Sequence, residues 1–211
     1  VKRIIPHVAP YAAYVAIGAA GEHVAPYTDA IRIALVGGML LHWWRREAYA
    51  ELETAPTAGQ VLLGALSGLA VGAAWVPLAK LVPSLYATER TGLDPGAGVV
   101  LTCLRAVDMV LVVPFTEELM VRSAVPRFVD SRDGEDWRVR PVGVFTRTSL
   151  VASIGFFTLT HPEWLAALAT ALLWTAILAK TRNLRVLVIA HAVANAWLAG
   201  HVIVTGEKQW W

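Results

Sequence analysis

Pro114-Phe115-Thr116-Glu117-Glu118-Leu119-Met120-Val121-Arg122 places three ionisable residues inside an otherwise apolar helical stretch, and the reading of the whole chain turns on it. In a bilayer each such residue is unfavourable by roughly 2.5–3.5 kcal/mol, so two carboxylates and a guanidinium together call for partners and a purpose. On a helix Glu118 and Arg122 stand four apart, share a face and can pair. Glu117 is turned about 100° from Glu118 and cannot share that arginine equally. One carboxylate is neutralised and the other is left free.

The composition around this stretch is that of a membrane protein. Of 211 residues 56% are hydrophobic and 16% charged, against about 25% charged in soluble domains, and the mean hydropathy is +0.54. A net charge of +2, with no Lys/Arg run and interleaved aromatics, gives no nucleic-acid partner. The single Cys103 leaves no internal disulfide; on an apolar helix it reads as a small buried hydrophobe. CxxC, HExxH and Walker patterns are absent, so no metal or cofactor is expected. No repeat or linker divides the chain, which is read as a single integral-membrane domain, 1–211.

The expected fold class is all-α, a polytopic transmembrane helix bundle of about seven membrane helices, near residues 4–20, 28–44, 60–82, 96–128, 142–161, 163–180 and 184–204. A cleaved signal peptide is the alternative for the first, although Tyr11 and Tyr14 suit an interface-anchored helix. Thr28 is a candidate N-cap for the second. Gly64, Gly68 and Gly72 form a small-residue stripe on the third that lets another helix approach closely. In the fourth, Arg105 and Arg127 mark the two interfaces, and Pro114 should kink the helix just before the carboxylates. Lys2, Arg3, Arg45, Arg46, the arginines from Arg122 to Arg147, Lys180, Arg182 and Arg185 fall on one side, against Lys80 and Arg90 on the other. The amino terminus is therefore predicted cytoplasmic and the carboxyl terminus outside.

Three further polar residues sit in apolar surroundings: His161 at the end of the fifth span, and His191 and Asn195 in the seventh. Singly, each suits an interhelical hydrogen bond. Together they line up, since Phe157 and His161, like His191 and Asn195, are spaced four apart on a shared face. A carboxylate and a histidine can hold and deprotonate a water, while a second histidine and an amide donate to the oxygen that turns negative as an amide is cleaved. Glu117 would be the general base with His161 on the same water, His191 and Asn195 the oxyanion site, and Glu118 and Arg122 would hold the helix geometry. Two other readings use the same polar cavity. One is a zinc-dependent membrane hydrolase with His161, His191 and Glu117 as ligands, for which Asn195 is a poor fit. The other is a non-catalytic carrier or immunity-type binder, which lacks support from inverted repeat halves.

Glu117-Glu118-x-x-x-Arg122, Phe157-x-x-x-His161 and His191-x-x-x-Asn195, in that order on separate apolar helices, resemble the CAAX protease and bacteriocin-processing family of glutamic intramembrane proteases. The likeness covers a motif-bearing core from 101 to 198. It implies a membrane endopeptidase acting without metal, with the first glutamate and first histidine on the water and the second histidine and asparagine on the oxyanion. It further implies membrane lipid and a membrane-anchored or lipidated protein or peptide substrate as partners, cut near its carboxyl end, and an integral location in a prokaryotic cell membrane. Two departures stand out: Ser123 occupies a place where family members often carry glycine, and the family's usual count is about eight spans.

Overall fold

The computed structural model describes residues 4–86 and 98–210. Lys2, Arg3, Arg90 and the expected start of the fourth span at Gly96 lie outside the described residues. All regular structure among the described residues is helical. The main rods are α1 (Ile5–Ala19), α2 (residues 28–44), α3 (Ala58–Leu81), α4 (Val99–Asp130), α5 (Arg147–Leu159), α6 (Trp164–Thr181) and α7 (Leu184–Thr205).

By length and composition α3, α4, α6 and α7 can cross a membrane. With 15 and 13 residues, α1 and α5 fall short of the roughly 20 that a bilayer requires, as does α2. The seven expected rods therefore form, and four of them have full spanning length. Local signals set several ends. Thr57 and Gln60 make a reciprocal cap at the start of α3, and Thr146 and Ser149 do so for α5. Thr28 is the first helical residue of α2 and not its cap, a place taken by Tyr27.

The glycine stripe acts as read. A Cβ added at Gly64 would meet the Val186 carbonyl at 2.8 Å, one at Gly68 would run into the Ala190 carbonyl, and one at Gly72 would meet the Trp197 side chain at 2.7 Å. Only glycine lets α3 lie this close against α7. Leu119, Trp174, Leu178, Leu184 and Leu187 fill the core beside this contact. Leu62, Leu66, Leu111, Val151, Leu172 and Ile203 are exposed on the outside, as lipid contact requires. Cys103 is exposed too, which corrects its reading as a buried hydrophobe: it lies on the outer face of α4, where a small apolar side chain needs no cover.

Two π-helical turns interrupt α4, at Asp108–Val112 and Glu118–Ala124, and each runs into a proline, Pro114 and Pro126. In the first, the Val113 N–H bonds the Asp108 carbonyl five residues back; in the second, Val125 does the same to Met120. The next bonds in register would come from Pro114 and Pro126, which have no N–H. The carbonyls left over belong to Met109 and Val121. Asn195 of α7 donates to the first at 2.7 Å and Ser153 of α5 to the second at 2.8 Å. Proline, wide turn and side-chain donor thus form one device, used twice.

Arg105 and Arg127, read as interface markers, each have a carboxylate partner within the protein. Arg105 pairs with Asp29 of α2 at 3.3 Å. Arg127 is 5% exposed and donates to Glu51 at 2.8 Å, with its guanidinium over the Trp137 ring. Glu51 sits in the turn Ala50–Leu52 and also accepts from His7 at 2.6 Å and from the Ser123 hydroxyl. Burial raises the Glu51 carboxyl, but the His7 hydrogen bond and the Arg127 charge outweigh it and bring it from 4.5 down to about 2. Ser123, in place of the glycine common in the family, therefore ties the end of α4 to this turn.

Candidate active site

Glu117, His161, His191 and Asn195 all line one cavity of about 360 Å³, walled by α3, α4, α6, α7 and the segment after α5. The wide turn beginning at Glu118 separates the two adjacent glutamates. Glu117 faces the cavity, and Glu118 points inward and is fully buried.

His161 lies two residues past the end of α5, just before Pro162. Its position at the close of the helix matches expectation, but a loop and not a helix face carries it. The ring is nevertheless fixed, because Nδ1–H donates to the Phe157 carbonyl at 2.7 Å. In a neutral ring that leaves Nε2 as an acceptor, and Nε2 stands 3.8 Å from Glu117 Oε2. Two acceptors at that separation do not bond each other. A water bridging them would give a proton to each and keep its lone pairs directed away.

His191 is set differently. Its Nδ1–H donates to Glu118 Oε1 at 2.9 Å, and its ring packs 5.1 Å from the Trp174 ring. Glu118 in turn stands 3.9 Å from Arg122 Nε, with both side chains shut off from solvent. The guanidinium lies 4.4 Å from the centre of the Phe157 ring. Phe157 therefore does two things: its ring supports Arg122 and its carbonyl orients His161. Asn195, held by the Met109 carbonyl, spends one of its two amide hydrogens there.

Other parts of the wall escaped the sequence reading. Tyr14, Arg105 and Asp108 form one end of the cavity, and Trp75 packs its ring 5.7 Å from that of His161. Trp210 reaches the lining from the turn after α7, where Glu207 accepts from its indole N–H, from Lys80 and from His201. An aspartate in the apolar run of α4, three residues after Arg105, was the available signal for the first group. Among the described residues no three His, Cys, Asp or Glu side chains are grouped as metal ligands.

Residues 99–197 match a family model described as type II CAAX prenyl endopeptidase Rce1-like, a stretch running from the start of α4 almost to the end of α7. No curated protein and no solved structure matches the chain. With its motif residues drawn into one cavity among membrane-length helices, the chain is similar over residues 99–197 to the type II CAAX prenyl endopeptidase Rce1-like family.

Proposed function

We propose that the protein is an intramembrane glutamic endopeptidase, independent of metal, that hydrolyses a peptide bond near the carboxyl end of a membrane-anchored or lipidated substrate. The observation that carries this is the 3.8 Å gap between Glu117 Oε2 and His161 Nε2, with the histidine tautomer set by Phe157. Water held there attacks the scissile carbonyl carbon as Glu117 takes its proton. His191, when its ring carries both protons, donates from Nε2 to the developing oxyanion, and the second amide hydrogen of Asn195 does the same. Glu117 then passes its proton to the leaving amine. Arg122 balances Glu118, so that the carboxylate behind His191 stays ionised in a buried place.

The orientation that fits the charge pattern puts the amino terminus on the cytoplasmic side of a prokaryotic membrane. The test is incubation of purified wild-type and Glu117→Gln protein in detergent with a library of carboxy-terminal, membrane-anchored and lipidated peptides, with and without chelator. A single mass-resolved cut in the wild type, lost in the variant and indifferent to chelator, is expected. Cleavage that survives Glu117→Gln, or that chelator removes, contradicts the reading.

A further inference from the structure

The part of the cavity wall formed by Tyr14, Arg105 and Asp108 is braced by α1 and α2, which lie outside the matched stretch. Asp29 of α2 accepts from Arg105 at 3.3 Å. Arg32 of α2 stands 3.8 Å from Asp108 Oδ2 and lies over the Tyr14 ring of α1 at 3.9 Å. Tyr14 donates its hydroxyl to the same Oδ2 at 3.4 Å. Two aspartates and two arginines balance formally, so the group has no need of a further ion.

Asp108 Oδ1, like Arg32 Nε and Arg105 Nε, stands outside these contacts. Asp108 is 1% exposed and lines the cavity, yet this oxygen has no hydrogen-bond partner among the described residues. A buried carboxylate oxygen without a donor is unfavourable. A donor arriving through the cavity corrects this. An ammonium group is a poor candidate, because Arg32 and Arg105 stand beside the same site and repel it. A neutral peptide N–H fits.

We propose that Asp108 is a substrate-anchoring residue whose Oδ1 accepts a main-chain N–H of the peptide being cut, so that α1 and α2 help set the cleavage register. The proposal rests on the proteolytic reading above. Asp108 precedes Glu117 by nine residues on one helix, about 13 Å along the axis, which an extended peptide covers in about four residues. The anchored N–H therefore belongs to a residue about four positions from the scissile bond.

The test uses a fluorescein-labelled peptide with a lipidated cysteine near its carboxyl end, and copies N-methylated at one peptide bond each. Binding is read by anisotropy on Glu117→Gln protein in detergent, where turnover does not interfere. Methylation at one position is expected to weaken binding about tenfold, and to have no further effect in Glu117→Gln/Asp108→Ala protein, whose affinity for the unmethylated peptide is already reduced by a similar factor. In active protein Asp108→Ala should raise KM with kcat kept, and Asp108→Asn, which retains an oxygen, should recover part of the loss. With a peptide truncated short of the anchored residue, Asp108→Ala should cost less than it does with the full-length peptide. Equal affinity with and without Asp108, a methylation profile that Asp108→Ala leaves unchanged, or no binding at all overturns the proposal. Binding that follows the expected pattern without cleavage by wild type contradicts the proteolytic reading and leaves the anchor standing.

Discussion

Asn195 Nδ2 donates at 2.7 Å to the Met109 carbonyl, the acceptor for which Pro114 supplies no N–H. The asparagine is thus fixed by a defect in the neighbouring helix. Ser153 and Val121 repeat the arrangement beside Pro126.

This pairing gives a double-mutant cycle. Asn195→Ala leaves a buried carbonyl unmet, at a cost of about 1–3 kcal/mol. In a Pro114→Ala background the chain supplies its own N–H, and the cost should fall by at least half. Denaturant unfolding in detergent measures the coupling, and equal costs in both backgrounds would show that Pro114 does not create the need for Asn195.

The Glu118–Arg122 pair, fully buried with charges 3.9 Å apart, makes a second test. Glu118→Ala or Arg122→Ala strands the other charge, and each should destabilise by about 3–5 kcal/mol. Glu118→Met/Arg122→Leu, which removes both, should cost less than either single change. It should also lower activity, because His191 loses the carboxylate that holds its ring.

Packing of α3 on α7 is tested by glycine. At Gly68 an added Cβ runs into the Ala190 carbonyl, so Gly68→Ala should destabilise by about 1–3 kcal/mol. Gly155 has open space around its Cβ position and Gly155→Ala should be tolerated. Thermal unfolding of the two variants in the same detergent reads the contrast.

Glu51 predicts an acid limb in stability. Its carboxyl is held at about 2 against an ordinary 4.5, so the folded state binds its proton less readily than the unfolded chain. The contribution, about 3 kcal/mol by linkage, is fully present above pH 4.5 and is lost as pH falls from 4.5 towards 2. Unfolding free energy followed across that interval should drop, and Glu51→Gln should remove most of the slope while lowering stability at neutral pH.

The sequence made some of this legible and hid the rest for physical reasons. Helix spacing put Glu118 with Arg122, and the glycine stripe foretold the contact of α3 with α7, since both depend on local periodicity. The same periodicity could not show that α4 contains two wide turns, because their cause is the fit of a proline to a donor on another helix. Spacing from Phe157 placed His161 on a helix face, and nothing in that spacing showed how the side chain would reach a recess shared with Glu117 and His191. In the structure His161 is brought in by the turn after α5, and the cavity supplies the recess. Arg105 and Arg127 were read as marking the two interfaces of the fourth span from their spacing alone. Their carboxylate partners, Asp29 and Glu51, are distant in sequence and nothing local announces them.

The most direct measurement is the rate of cleavage of one identified peptide by wild type, Glu117→Gln, His161→Ala and the double variant, under conditions where all four remain folded. Each single change should slow the reaction by roughly 10²–10⁴-fold, and the double variant should be little slower than the worse single, because both side chains act on the same water. Rates within tenfold of wild type for Glu117→Gln, or losses that multiply in the double variant, would contradict a water shared between Glu117 and His161.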